Sequence, residues 1–522
     1  MVGAGFAGLY LLHRLRGQGL NVQVIERAPD VGGTWYWNRY PGARCDIESF
    51  DYSYSFSEDL QQQWSWSERY PAQPEILRYL RHVADRFDLR SGIRFDTSVT
   101  GAVFDAASAR WTVTTDRGDQ VSSRYLVMAT GCLSVPTEPR FDGMDRFAGP
   151  IYRTFDWPSD PVSMADLDIA IVGTGSSAVQ ALPILAEQAR QVTVFQRTPC
   201  FSAPANNRPT DPDQEAEIKR AYPARRAESR RSRGGFPMKR GTDFAADVSV
   251  EERESRLRAA WVAHPFVLTS AFADVLRDVD ANAIVAEFVR DRIREKVADP
   301  HTAELLCPKD QLIGTKRMCL DTGYYEAFNR SNVRLVDVSQ TPIERFTTNG
   351  IVVAGTEHRF DLIVLATGFD AMTGALLAID IRGADGQLLS EKWAGGPMTY
   401  LGLTIAGFPN MFVVTGPGSP SVLTNMVTSI EQHVDWIADC LATLDREGAS
   451  TIEALPDAES DWVAHVNDIA GTTLYPRGNS WYLGANVVGK PRIFMPYAGG
   501  LDAYREVCDA VASDGYRGFR IA

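Results

Sequence analysis

Short apolar runs recur along the chain, and most of them end at a glycine or a charge. Val22–Glu26, Leu126–Gly131, Ile169–Val172, Val192–Phe195, Leu362–Gly368 and Phe408–Val414 are each of strand length and nearly unbroken. Continuous apolar runs of that length suit strands buried on both faces of a parallel sheet. Other stretches carry helical spacing. Leu9 to Arg16 comes after a glycine-rich turn, and a long helical stretch starts after Leu423. Ile284, Val285, Phe288, Val289, Ile293 and Val297 line one helix face that Pro300 stops. Arg110–Thr115 alternates and turns near Gly118-Asp119, and Ile343–Phe346 turns at Asn349-Gly350, both hairpin signals.

The order of these elements repeats. A glycine-rich turn, a hairpin and an apolar strand ending Ala-Thr-Gly span 131 − 3 = 128 residues in the first copy and 368 − 173 = 195 in the second. The pattern predicts an α/β protein with two Rossmann-like dinucleotide-binding domains, the second carrying a helical insertion over 204–312. Within that insertion, Ser249-Val250-Glu251-Glu252 reads as a capping box that starts a helix. The paired arginines at 225–226 and 230–231 read as solvated helix faces.

The two glycine motifs lead to residues of opposite charge. Gly3-Ala4-Gly5-Phe6-Ala7-Gly8 leads to Glu26, 26 − 8 = 18 residues on, where an acid grips a ribose 2′-hydroxyl. Gly173-Thr174-Gly175-Ser176-Ser177-Ala178 leads to Arg197 and Thr198, with Arg197 197 − 178 = 19 residues on. An acid there repels a 2′-phosphate, and an arginine binds it. The first fold is therefore expected to hold FAD or NAD, and the second NADP. Only Met1-Val2 precede Gly3, so the sequence predicts either a start further upstream or a shortened central strand. A lost strand would cost several kcal/mol against a domain margin of about 5–15 kcal/mol, which keeps a catalytically silent flavin-binding relative in view.

Composition narrows the partners. A net charge of −13 argues against general affinity for nucleic acid or anionic membrane. No apolar run reaches the ~18 residues of a membrane span. The seven cysteines are widely spaced without a C-x-x-C pair, which fits a reducing cytoplasm and disfavours a disulfide reductase. None of the seven histidines has a ligand partner at a familiar spacing, so no metal is assigned. The oligomeric state is left open, and a monomer is compatible with the sequence.

Four further stretches carry candidate chemistry. Gly32-Gly33-Thr34-Trp35 runs through Tyr40-Pro41-Gly42 to Arg44 and Asp46, dense in aromatic side chains that could wall a flavin. Phe147-Ala148-Gly149 runs through Arg153 to Trp157-Pro158 between the two folds and reads as an ordered connector. Gly314-Thr315-Lys316-Arg317 sets two adjacent cations pointing different ways. Gly416 to Ser421 is a glycine–proline loop at the end of an apolar strand, where ligands are approached.

These stretches together resemble the Baeyer–Villiger monooxygenases. The connector matches the family's fingerprint at Phe147, Gly149, Trp157 and Pro158, and departs from it at Arg153, where the family has histidine. The resemblance covers nearly the whole chain. It implies an FAD-binding domain over 1–140 and 369–522, a connector over 141–160, an NADP-binding domain over 161–203 and 313–368, and the insertion over 204–312. It also implies an NADPH- and O2-dependent enzyme that places one oxygen atom beside a ketone carbonyl through a flavin C4a-peroxide. Arg317 would stabilise that anion and Asp46 would hold the arginine. By position, Gly33, Thr34, Trp35, Asp46, Tyr52, Val99 and Met426 would join Gly3, Gly5, Gly8 and Glu26 on FAD. Arg44, Ser176, Ser177, Arg197, Thr198, Lys316 and Trp481 would join Gly173 and Gly175 on NADP, and Pro420, Ser421, Val422 and Leu423 would shape the ketone pocket. The alternative is a flavin monooxygenase that oxidises sulfur or nitrogen.

Overall fold

The computed structural model describes residues 1–522. Two parallel sheets share one plan. In the second fold the strand order is Val333–Asp337, Gln191–Gln196, Asp168–Val172, Leu362–Leu365 and Ile151–Arg153, every pair parallel. In the first fold Ile93–Arg94 pairs with Val24–Ile25, and Leu126–Met128 pairs with Met411–Val413. Val2 alone holds the central place between those pairs, bridging Ile25 and Met128. Its N–H donates to the Val127 carbonyl and its own carbonyl accepts from the Ala129 N–H, both at 2.9 Å. On the other side the Gly3 N–H donates to the Ile25 carbonyl at 2.9 Å and the Ile25 N–H donates to the Met1 carbonyl at 3.0 Å, so this short central segment is hydrogen-bonded to both neighbours.

The apolar runs form the buried central strands, whose two faces are both covered. All four residues of Leu362–Leu365 and all three of Leu126–Met128 are buried. The helix Phe6–Gly17 buries Leu9, Leu11, Leu12 and Leu15 and joins the core of the helix Met426–Glu447. The hairpins build side sheets, one of them Ile343–Phe346, Gly350–Val353 and Thr356–Arg359 in antiparallel register. No helix is long and apolar enough to cross a membrane.

The connector is more than a crossing. Ile151–Arg153 is the edge strand of the second sheet, in the place that Met411–Val413 holds in the first. Phe147 is buried with Val172, Phe195 and Leu365. Downstream, Phe155 stacks on Trp37 with centroids 5.6 Å apart, and the Asp156 N–H donates to the Trp37 carbonyl at 3.1 Å. One connector thus seats its first half in the second fold and its second half on the aromatic loop of the first.

The insertion is helical, with long helices Pro212–Arg231, Val250–Ala263 and Val279–Lys296. Ser249 caps the second of these, accepting from the Glu252 N–H at 3.2 Å. The paired arginines at 225–226 are not solvated. Arg226 is buried and donates to Ser53 Oγ at 2.7 Å and Gln61 Oε1 at 2.9 Å, while Arg225 pairs with the buried Asp51. Nothing in the local charge pattern signals a carboxylate waiting across the fold, which is why these positions read as surface. Arg230 and Arg231 are exposed, as expected.

Candidate active site

Each fold closes its glycine motif against its own Ala-Thr-Gly end. Gly3 has φ +100°, and a Cβ there would sit 2.5 Å from the Ala129 carbonyl oxygen. Gly173 has φ +116°, and its Cβ would lie closer still to the Ala366 carbonyl oxygen. Only glycine allows that backbone and that approach. Gly5 and Gly175 are the N-caps of Phe6–Gly17 and Ser176–Gln188, and neither helix has a side-chain cap. Uncapped N–H groups at a helix start, with the positive dipole end, make a cradle for a pyrophosphate. The residues present therefore fit a dinucleotide in each fold.

The first cradle brings several aromatic and polar side chains close to its glycine turn. Gly33, φ +53°, touches Gly5, bringing Thr34 and Trp35 beside the turn. Trp35 is buried and its Nε1–H donates to Tyr52 Oη at 3.1 Å, while Tyr52 meets Phe6 edge-on at 5.1 Å. Glu26 is buried, and its two oxygens accept from Ala4 N and Ala28 N, each at 2.7 Å. Burial raises its pKa above the ordinary value, with the two backbone bonds pulling the other way. A carboxylate has about four acceptor sites, so two remain for ribose hydroxyls. Val99 begins the strand just beyond Thr97, whose N–H bonds the Glu26 carbonyl at 3.0 Å. Met426 opens its helix, half-buried beside Leu423.

The second cradle is more open. Ser176 and Arg197 are exposed. Thr174 Oγ1 donates to the Thr198 carbonyl at 2.6 Å, tying the glycine turn to the strand end. Thr154 Oγ1 donates to Ser177 Oγ at 3.2 Å, so Arg153, its neighbour, stands at this mouth. Arg44 is paired through Nη1 with Glu68 at 3.2 Å and donates to the Tyr70 carbonyl at 3.0 Å. Its carbonyl accepts from Gln180 Nε2 at 3.1 Å, and Tyr40 Oη donates to Gln180 Oε1 at 2.7 Å. The stretch Tyr40–Arg44 of the first fold is thus clasped to the helix Ser176–Gln188 of the second. Trp481 lies half-buried against Tyr482, and Gly478 lies close against Thr315, next to Lys316.

Arg317 and Asp46 meet between the folds. Arg317 Nη2 donates to Asp46 Oδ1 at 2.9 Å, and Nε donates to Asp46 Oδ2. Nη1 donates to the carbonyls of Val422 at 2.7 Å and Thr424 at 3.3 Å. Val422 lies in the short turn Ser421–Leu423 after Pro420, so the arginine also fixes the expected pocket loop. Burial works against the guanidinium's charge, but the Asp46 carboxylate outweighs it and raises the pKa above its ordinary value. The group stays cationic at any working pH.

Two residues of this site have no sequence signal. Phe266 lies under the guanidinium, 4.7 Å from ring centroid to Cζ. His264 accepts from the Phe266 N–H through Nδ1 at 3.1 Å, which puts the proton of the neutral ring on Nε2, 3.0 Å from the Asp46 carbonyl oxygen. His264 therefore caps the turn carrying Phe266 and ties it to Asp46. Its separation in sequence from Asp46 is what hides it.

Burial pushes His264 down to about 4, so the folded protein keeps it neutral. Below about pH 6.5 the unfolded chain takes up that proton first, and stability falls as pH drops until the folded pKa is reached. We expect His264→Asn, which can cap and donate but does not titrate, to remove about 1.4 kcal/mol per pH unit of that slope. Thermal or urea midpoints between pH 7 and pH 4.5 check it, and equal slopes for both proteins would refute it.

Known proteins resemble this chain over its length. Residues 1–230 match the family described as pyridine nucleotide-disulphide oxidoreductase. An acetone monooxygenase (methyl acetate-forming) from Gordonia sp. (strain TY-5) is 41% identical over 525 residues, covering 100% of this chain and 98% of the relative. A phenazine N-monooxygenase from Lysobacter antibioticus is 40% identical over 523 residues, covering 99% and 96%. The solved structure of an oxidized steroid monooxygenase bound to NADP is 54% identical with a TM-score of 0.96, covering 100% and 98%.

Proposed function

The chain belongs to the Baeyer–Villiger monooxygenases, and from that premise we propose that it inserts one oxygen atom beside a ketone carbonyl to give an ester or lactone. The enzyme uses FAD and NADPH. The contrast between Glu26 and Arg197 supports FAD in the first fold and NADPH in the second. When bound, FAD takes reducing equivalents from NADPH and activates dioxygen. The observation that carries the reading is Arg317. A guanidinium has five N–H donors. Four are spent on Asp46, Val422 and Thr424, which leaves one Nη2–H for oxygen that gains negative charge. Asp46 and the two carbonyls hold the group still, so that donor is preorganised and reorganises little as charge develops. Lys316, Arg197, Ser176 and Ser177 would hold the 2′-phosphate and pyrophosphate of NADPH, with Trp481 beside them. Pro420 to Leu423 shape the ketone pocket.

Product analysis tests this. Purified protein supplied with NADPH, oxygen and an aryl or cyclic ketone yields the ester or lactone. Nitrogen or sulfur oxidation is the second reading, favoured by the phenazine N-monooxygenase relative. A sulfoxide or N-oxide from matched substrates, with no ester from any ketone, would establish it instead.

Arg153 stands where the family has histidine. It ends the edge strand, paired with Leu365, beside the Ser177 turn. An arginine there keeps a hydrogen-bond donor and loses the acceptor. We expect Arg153→His to leave the ratio of ester formed to NADPH consumed within about twofold of wild type, where a roughly 10-fold change would correspond to about 1.4 kcal/mol. A large gain in coupling would mean that the arginine impairs the enzyme.

A further inference from the structure

Cys200 and Cys319 form a thiol pair under the second cradle, apart from the other cysteines. Their sulfurs lie 3.5 Å apart, both buried. The contact is set by the backbone, because Ser202–Pro204 pairs in parallel with Cys319–Asp321 and Cys200 lies just ahead of that strand. On its other side Cys319 Sγ lies 3.2 Å from Ser176 Oγ. Ser176 is the first residue of the uncapped helix Ser176–Gln188 and is exposed, so the pair lies one side chain below the second cradle.

We propose that Cys200 and Cys319 are a peroxide-oxidisable dithiol whose closure to a disulfide weakens NADP binding. The oxidant is hydrogen peroxide. The Cys200 sulfur attacks one peroxide oxygen, an S–O bond forms, the O–O bond breaks and hydroxide leaves, taking up a proton to become water. The Cys319 sulfur then attacks the sulfenic sulfur, the S–S bond forms, the S–O bond breaks, and the departing oxygen leaves as water with the thiol proton. Two thiols lose two electrons, and one peroxide becomes two waters. Closure draws the sulfurs from 3.5 Å to about 2.05 Å. That movement pulls Cys319 off Ser176 at the point where the pyrophosphate meets the helix.

The surroundings support selectivity. The thiol of Cys319 and the nearby Lys316 ammonium stabilise a Cys200 thiolate, so its pKa is lowered, and the thiolate is the reactive form. Burial raises the pKa of Cys45, Cys132, Cys307, Cys440 and Cys508, which leaves them as inert thiols.

The test uses the flavin-loaded enzyme without ketone. After a few equivalents of hydrogen peroxide, free thiols counted in denaturant should fall from seven to five. Digestion should yield one cross-linked peptide pair, Cys200 with Cys319, and dithiothreitol should restore all seven. Cys200→Ser should keep its six thiols and show no cross-link. NADP+ titration should show several-fold weaker binding in the oxidised wild type and none of that change in Cys200→Ser. Loss of thiols at other positions, cross-linking absent, or unchanged NADP+ affinity in the cross-linked protein would each overturn the proposal. The thiol count and cross-link read independently of ketone oxidation, and only the affinity readout rests on the NADP assignment above.

Discussion

Arg317→Ala abolishes ester formation and leaves FAD bound. The side chain makes no hydrogen bond to Gly3, Glu26, Gly33 or Trp35, through which the contacts of the first cradle run. It contributes a cation between the folds that is bonded to Asp46 and to two carbonyls of the pocket loop. Removing a preorganised donor to developing negative charge costs about 10²–10³ in rate. Here the Asp46 carboxylate is also left without its partner beside the reaction, so we expect a loss of at least ~10³. Arg317→Lys keeps a positive charge but cannot make the bidentate bond and reach Val422 together, so it should recover only a small part. The flavin spectrum, the rate of flavin reduction by NADPH and the ester yield separate binding from chemistry. Ester at wild-type rate in the alanine variant would remove Arg317 from the mechanism.

The second large effect is a pair. Gly3→Ala and Gly173→Ala make the same steric error in the two folds, a Cβ driven into the backbone carbonyl of Ala129 or Ala366 at positive φ. Neither neighbour is a side chain that could swing away. If the folds are divided as proposed, Gly3→Ala purifies colourless or loses flavin on dilution. Gly173→Ala keeps its flavin and raises the NADPH KM by about 10-fold or more, equivalent to at least ~1.4 kcal/mol of binding. Flavin content by absorbance and NADPH kinetics on the flavin-loaded fraction read the two arms. Flavin loss from Gly173→Ala with retention in Gly3→Ala would reverse the assignment of the cofactors.

Local signals in the sequence carried the doubly repeated fold. Glycine turns, buried apolar strands and hairpin turns are all decided within a few residues, so the repeat could be read directly. The contrast between Glu26 and Arg197 was legible for the same reason, since each lies a fixed distance beyond its glycines. What could not be read depends on contacts between distant segments. Arg225 and Arg226 look like surface charge until Asp51 and Ser53 are placed against them. His264 looks like one of several scattered histidines until the insertion folds it under Asp46. Arg44 shows no sign in the sequence of the Glu68 carboxylate that pairs with it across the fold. The connector's edge strand was hidden because three residues between a proline and a threonine carry little pattern of their own.

The helix Pro212–Arg231 belongs by chain order to the second fold and by contact to the first. Besides the pairs at 225 and 226, the Asn425 N–H donates to the Gly234 carbonyl at 2.8 Å and Arg233 bonds the carbonyls of Ala498 and Gly499. Chimeras between homologues that exchange the coenzyme module at its chain boundaries would carry this helix away from its counter-charges. Asp51, only 3% exposed, would then face a foreign surface. A crossover that respects the interlock leaves 204–240 with the recipient and exchanges only the sheet and its glycine turn.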